Sequence, residues 1–150
     1  MKNILVPTDF SSNANKALDF AVQIARQAKA EINLIHACDL IETIFKDNQT
    51  MYKEYNQTIS DKANENLSLL KKSIEDTENI SVHIKLYKGK VTDVILQASE
   101  EHHADLIIMG TLGEAGLQEK IFGSITAGII GKTNIPVMAV SLFSVWDTPK

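Results

Sequence analysis

The chain has 150 residues, of which 44% are hydrophobic and 23% charged, a composition typical of one globular domain with a single core. Its net charge of −4 argues against a general nucleic-acid-binding protein, which needs a basic face. The lone Cys38 excludes a disulfide framework and a cysteine metal cluster. The sequence shows neither a signal peptide nor an apolar run of the ~20 residues that span a membrane, so we expect a cytoplasmic protein of one domain, residues 1–150.

The first half of the chain predicts two strands and two helices. Residues 4–7 form a continuous apolar run, which is typical of a strand buried on both faces, and residues 32–37 form a second one. Small apolar residues recur between them at helical spacing, namely Ala14, Ala17, Leu18, Ala21, Ala25 and Ala28. A longer helical pattern occupies about residues 50–76.

The second half predicts three more strands and two more helices. Residues 81–87 alternate between apolar and polar side chains, which predicts an edge strand with one wetter face. After the next helix, residues 105–109 read as a buried strand. A helix starting at Gly123 is expected to end near Gly131, a candidate C-cap glycine, before a fifth strand at residues 136–140.

Alternating strands and helices predict a parallel sheet with right-handed crossovers and helices on both faces. Ligands of such sheets bind at the carboxyl ends of the strands. Asp9 follows the first strand and is a candidate binding residue, the alternative being a turn or N-cap residue. His36 ends the second strand and is expected to be packed or hydrogen-bonded rather than catalytic, and nothing beside Cys38 suggests an activated thiolate.

The strongest functional signal lies between the fourth strand and the following helix. The pattern there is G-x2-G-x9-G-S, formed by Gly110, Gly113, Gly123 and Ser124. Glycines allow close backbone approach, and a helix start offers N–H groups and positive potential to a phosphate. Ser124 and Thr126 add hydroxyl groups. The pattern predicts a phosphate cradle, the alternative being that Gly110 only ends a strand and Gly123 with Ser124 only caps a helix.

Other functional motifs fit poorly. Gly131-Lys132-Thr133 resembles the end of a P-loop, but the position five residues before Gly131 is Thr126, and the segment leaves a helix rather than a strand. No G-x-G-x-x-G follows the first strand, no G-x-S-x-G elbow occurs, and the acidic cluster of a receiver domain is missing. His102 and His103 are adjacent on a helix and point apart, so we expect no protein metal site.

At this point the chain resembles the UspA-like universal stress protein family over almost its whole length. Three segments carry the resemblance, at residues 4–9, 104–110 and 123–140. The glycine pattern is similar to the one that marks the family's ATP-binding branch. The resemblance implies an α/β fold with an open five-stranded sheet of order 3-2-1-4-5, like adenine nucleotide alpha hydrolases. It also implies a homodimer in which the fifth strands, Pro136–Val140, meet.

The resemblance further implies an ATP site at the carboxyl edge of strands 1 and 4. Pro7, Thr8 and Asp9 would face the adenosine, and Ala37 would line the adenine pocket through its backbone. The ribose would lie near Met109 and Gly110. The phosphates would be held by backbone N–H groups and two hydroxyls of Gly113, Gly123, Ser124, Ile125 and Thr126. Mg²⁺ or Mn²⁺ would be held mainly through the phosphate oxygens.

One position departs from the family pattern. Many ATP-binding members carry a basic residue just before the second glycine, where this chain has Leu112. The change removes a charge partner of the phosphates, which would weaken affinity or favour AMP or another adenosine ligand, although backbone binding survives.

Three functions remain open at this stage. They are a nucleotide-dependent switch in stress signalling, a dimeric scaffold that binds no nucleotide, and a slow ATPase or autokinase. No general base for the third is apparent in the sequence.

Overall fold

The structure, a computed structural model, describes residues 1–38, 49–111 and 123–147. Strands and helices alternate along the chain. The strands are β1 (Asn3–Pro7), β2 (Glu31–Cys38), β3 (Val82–Lys88), β4 (Leu106–Gly110) and β5 (Val137–Val140). The helices are α1 (Ser12–Ala28), α2 (Gln49–Glu78), α3 (Val91–Glu101) and α4 (Ser124–Lys132).

The five strands form one parallel sheet in the order β3-β2-β1-β4-β5, as expected. The register pairs Leu5 of β1 with Asn33 of β2 and with Ile107 of β4. The carboxyl ends of β1 and β4 therefore lie side by side at one edge of the sheet. The prediction that the third strand is an edge strand is confirmed, and β5 forms the opposite edge.

Each face of the sheet is covered by two helices. Alternate residues of the central strands point to opposite faces: Ile4 and Val6 pack with α1 and α2, whereas Leu5 packs with α3 and α4. Four alanines of α1, Ala14, Ala17, Ala21 and Ala25, lie on its buried face and allow the helix to approach the sheet closely. The expectation that Ala28 shares this face is wrong, because it lies in the exposed last turn of the helix. Both faces of the sheet are therefore covered by apolar packing.

Local hydrogen bonds define both ends of helix α1. The Ser11 side chain caps it by accepting a hydrogen bond of 3.2 Å from the Ala14 N–H. Lys29 adopts a left-handed conformation (φ 55°) and its N–H bonds to the Ala25 carbonyl, which ends the helix. The N-terminus of α1 is thereby fixed directly after the turn that follows β1.

The prediction that Gly131 caps α4 is wrong. The helix continues to Lys132, and the capping residue is Thr133, which has an extended backbone (φ −98°, ψ 149°). The Thr133 hydroxyl oxygen accepts a hydrogen bond of 3.1 Å from the Ile135 N–H. The chain must leave the helix extended to enter β5, so a left-handed glycine has no use there.

The chain after β5 folds back onto α1. The Trp146 ring meets the Phe20 ring edge-on, with 5.5 Å between the ring centroids. Phe143 and Val145, in contrast, are largely exposed. Trp146 thus packs on its own subunit. None of the helices in the described ranges is long and apolar enough to cross a membrane.

Candidate functional site

The turn after β1 is held by its own polar groups. The Thr8 N–H donates to the Ile35 carbonyl over 2.9 Å, and the buried Thr8 hydroxyl accepts from the Phe10 N–H, also over 2.9 Å. The Asp9 carboxylate accepts a 3.0 Å hydrogen bond from the Ser11 N–H. Asp9 is thus fixed at the carboxyl edge of the sheet, in a turn that leads into α1.

His36 supports this turn from β2. Its Nδ1 lies 2.7 Å from the Thr8 carbonyl oxygen, and because a carbonyl only accepts, Nδ1 carries the proton. The Phe10 ring packs on the imidazole at 4.6 Å between centroids, while the Phe10 backbone has a φ of 65°. Such strained residues concentrate at ligand sites. His36 is hydrogen-bonded and packed, as predicted.

The end of β4 is enclosed by α1 and α4. The Thr126 hydroxyl donates a 2.8 Å hydrogen bond to the Gly110 carbonyl oxygen, and Thr126 is only 1% exposed. The Thr111 N–H donates to the Val140 carbonyl over 3.0 Å. On the α1 side, Asn13 lies directly against Gly110. The last residues of β4 are therefore fixed from both sides.

Helix α4 begins at this edge with a glycine as its N-cap residue. Gly123 is the N-cap residue, in an extended conformation and without a side-chain cap. Its N–H donates to the Thr111 carbonyl, and the first hydrogen bond of the helix runs from the Ala127 N–H to the Gly123 carbonyl. The helix itself supplies no acceptor for the N–H groups of its first turn. The helix dipole adds positive potential there, which suits an anion.

The structure brings most of the predicted binding residues to one edge of the sheet. These residues are Pro7, Thr8, Asp9, Ala37, Met109, Gly110, Gly123, Ser124, Ile125 and Thr126. Ser124 and Ile125 are exposed, whereas the Met109 side chain is buried in the core with α3 and α4. Leu112 and Gly113 lie outside the described residues.

Sequence reasoning missed Asn13 and the role of Phe10. Asn13 is 6% exposed and lies four residues before Ala17, on the buried face of α1. A polar residue in the apolar stripe of a helix is a signal that the sequence did contain. The positive φ of Phe10 had no signal in the sequence, because left-handed conformations favour glycine or asparagine.

The chemistry of this edge suits binding more than nucleophilic attack. Burial raises the pKa of the Cys38 thiol, against a smaller opposite effect of the Lys88 charge, so the sulfur stays protonated near neutral pH. Within residues 1–38, 49–111 and 123–147, no three His, Cys, Asp or Glu side chains come together as a metal site would require. The described part of the edge thus offers backbone donors together with the Asp9 carboxylate.

Comparison with known proteins gives one family. The sequence profile of the universal stress protein family matches residues 1–141. Universal stress protein MJ0577 of Methanocaldococcus jannaschii is 30% identical over 153 aligned positions, which cover 93% of this chain and 94% of that protein. Its solved structure matches with a TM-score of 0.82 at 31% identity, covering 93% of this chain and 95% of the other.

Two more distant structures share the fold. UspA from Lactobacillus plantarum matches with a TM-score of 0.83 at 21% identity, covering 93% of this chain and 97% of the other. A universal stress protein from Archaeoglobus fulgidus, solved in complex with dAMP, matches with a TM-score of 0.65 at 24% identity, covering 93% and 98%. The profile matches nearly the whole chain, and both this match and the likeness to MJ0577 agree with the sheet order and the glycine pattern. This chain therefore belongs to the universal stress protein family.

Proposed function

We propose that this protein binds an adenine nucleotide at the carboxyl edge of β1 and β4. The observation that carries the proposal is the N-terminus of α4, whose N-cap residue is a glycine without a capping side chain, held against the end of β4 by the hydrogen bond from Thr126 to Gly110. Backbone N–H groups and the helix dipole favour a phosphate at such a position. Asp9 lies just after the neighbouring strand at the same edge, where the proposal places the adenosine.

The proposed contacts are those that the sequence pattern and the family resemblance imply. In this proposal, the turn formed by Pro7, Thr8 and Asp9 faces the adenosine, the Ala37 backbone faces the adenine, and Met109 with Gly110 lies near the ribose. The N–H groups of Gly123, Ser124, Ile125 and Thr126 bind the phosphates. The sequence also assigns Leu112 and Gly113 to the phosphates, and both lie outside the described residues. The Thr126 hydroxyl proton is already donated to Gly110, so this hydroxyl positions the helix.

We also propose that Mg²⁺ or Mn²⁺ binds together with the nucleotide. No cluster of metal-binding side chains forms in the described ranges. The metal is therefore held through phosphate oxygens. The dAMP complex of the Archaeoglobus fulgidus protein supports the ligand class, since it is an adenine nucleotide bound by a protein of this fold.

The test compares two glycine variants of the same helix. Calorimetric titration with ATP, ADP and AMP, with and without Mg²⁺, is carried out on the wild type, Gly123→Val and Gly131→Val. A side chain at Gly123 covers the N–H groups of the first turn, so binding by Gly123→Val is expected to be lost. A Cβ at Gly131 meets nothing within 4 Å, so Gly131→Val should bind within about twofold of the wild type, as expected for a surface change.

Mass spectrometry of ligand released from gently purified protein gives an independent result. An adenine nucleotide in that fraction would support the proposal. No nucleotide in the fraction and no binding at millimolar concentrations would refute it, and the chain would then be better described as a dimeric interaction protein without nucleotide.

We further propose that the protein is a cytoplasmic homodimer of one domain, in which nucleotide binding switches a stress-response surface. Strand β5 is an edge of the sheet, and Met138 on it is 36% exposed. Phe143, just beyond this strand, is 89% exposed. Unpaired strand edges with apolar neighbours favour pairing with a second copy. Sedimentation should show a dimer that Met138→Asp dissociates, and a monomeric wild type would refute the interface.

A further inference from the structure

Asn13 joins three elements at the edge of the sheet. It lies in the first turn of α1, and its side-chain amide donates a 3.1 Å hydrogen bond to the Val140 carbonyl oxygen, at the end of β5. The same oxygen accepts the Thr111 N–H over 3.0 Å. One carbonyl at the end of β5 thus receives a donor from α1 and a donor from the residue that follows β4.

The space that Asn13 occupies exists only because residue 110 is glycine. A Cβ at Gly110 would lie 2.4 Å from the Asn13 Oδ1 and 2.8 Å from its Cγ. It would also lie 3.1 Å from the Asn13 carbonyl oxygen. Gly110 has no positive φ that would require glycine. The first glycine of the pattern is therefore required by the close approach of α1, independently of any ligand.

We propose that Asn13 is a positioning residue, which fixes the Gly110–Thr111 backbone against the end of β5 and so couples the phosphate-binding segment to that strand. The part of this inference that concerns phosphate rests on the proposed nucleotide site. Thr126 holds the Gly110 carbonyl from the α4 side, and Asn13 holds the Val140 carbonyl from the α1 side. A shift of Thr111 on ligand binding must then move Val140 or break a buried hydrogen bond.

A buried asparagine at this position carries a desolvation cost that an apolar side chain would avoid. Asn13 is 6% exposed on a helix face that is otherwise built of alanine, leucine and valine. A buried amide must keep its hydrogen bonds to be tolerated. Its donor is directed at the strand end where the glycine segment begins, which is where a positioning role requires it.

The first experiment compares Asn13→Ala with Asn15→Ala, an exposed asparagine on the same helix. Amide exchange of Thr111 is followed by NMR, and the affinity for Mg²⁺–ATP is measured at a temperature at which all variants are folded. In Asn13→Ala, we expect exchange of the Thr111 amide to be about tenfold faster and affinity to be about tenfold weaker, which equals about 1.4 kcal/mol. Asn15→Ala should stay within twofold of the wild type for both quantities.

A double-mutant cycle tests the steric part. Gly110→Ala places a methyl group against the Asn13 side chain, and Asn13→Ala removes the two atoms that it meets most closely. Asn13→Ala should therefore lower the melting temperature of Gly110→Ala by less than it lowers that of the wild type, or should even raise it. If Asn13→Ala changed the melting temperature equally in both backgrounds, the steric contact between residue 110 and the Asn13 side chain would be contradicted.

The outcomes separate this inference from the proposed function. If the wild type binds nucleotide and Asn13→Ala matches Asn15→Ala in both affinity and Thr111 exchange, the positioning role is refuted. If the wild type binds no nucleotide, the proposed function fails, and the exchange rates and the double-mutant cycle still decide whether Asn13 fixes the segment.

Discussion

The hydrogen bond between Thr126 and Gly110 is the link that sets α4 against β4, and Thr126→Val tests it. Valine has nearly the shape of threonine, so the substitution removes the hydroxyl without opening a cavity. The bond is 2.8 Å long and Thr126 is 1% exposed, so water cannot replace the lost donor. The Gly110 carbonyl oxygen then loses its partner from α4.

The size of the effect follows from the burial of the bond. An unsatisfied buried acceptor costs about 1–3 kcal/mol, and the added methyl group recovers part of this, so we expect a loss of about 1–2 kcal/mol in the free energy of unfolding. For a domain of this size, each kcal/mol lowers the melting temperature by about 2–4 °C, which gives a decrease of about 2–8 °C. Because α4 is also repositioned, nucleotide affinity should fall as well.

The control is the same substitution at an exposed site. The Thr58 hydroxyl donates over 2.9 Å to the Glu54 carbonyl on the exposed surface of α2, so it makes the same type of bond in water. Chemical denaturation of Thr58→Val should differ from the wild type by no more than about 0.5 kcal/mol. If Thr126→Val and Thr58→Val were equally stable, the bond to Gly110 would not hold α4 in place.

Two further predictions concern other parts of the fold. The Asp105 carboxylate accepts hydrogen bonds from the backbone N–H groups of Lys2 and Asn3, at 2.7 and 2.9 Å. These bonds hold the pKa of Asp105 below its ordinary value of 3.8. The ionised carboxylate therefore stabilises the fold above pH 3.8, and this stabilisation is lost as the pH falls through the lowered pKa. Asp105→Asn should therefore be less stable than the wild type at pH 7, with a difference that shrinks below pH 3.8; a constant difference would contradict this. The chain has one tryptophan, so its fluorescence reports the Trp146–Phe20 contact, and Phe20→Ala should shift the emission to longer wavelengths. An unchanged spectrum would mean that Trp146 stays buried without this contact.

The elements of the fold could be predicted from residue patterns, but their order in the sheet could not. Apolar runs identified four strands and the alternating pattern of residues 81–87 identified the other one. These patterns missed polar ends such as Glu31, whose N–H pairs with the Lys2 carbonyl over 2.8 Å. Backbone pairing at a strand end does not depend on an apolar side chain. The order β3-β2-β1-β4-β5 was expected only from the family resemblance, because alternating strands and helices fit several parallel arrangements.

The sequence predicted where the glycines of the pattern lie in the fold, but not the contacts that they make there. The pattern placed Gly110 at the end of the fourth strand and Gly123 at the start of the last helix, and it explained Gly110 either by the approach of a ligand or by the end of a strand. The structure gives it a different reason, the contact with Asn13, which depends on two elements far apart in the chain. The hydrogen bond from Thr126 to Gly110 could not be predicted either, because it depends on how α4 is oriented over β4.

The polar groups at the edge of the sheet stabilise one another before any ligand arrives. His36 holds the Thr8 carbonyl and Thr126 holds the Gly110 carbonyl, while Asn13 and Thr111 share the Val140 carbonyl. An edge ordered in this way needs little binding free energy for its own organisation. Differences in affinity between ATP, ADP and AMP should then arise from contacts with the phosphates. If the nucleotide binds as proposed, position 112 is leucine rather than a basic residue, and backbone N–H groups rather than a side-chain cation would hold the phosphates. Titrations at low and high salt should then show a smaller change in affinity than in a site that uses a side-chain cation.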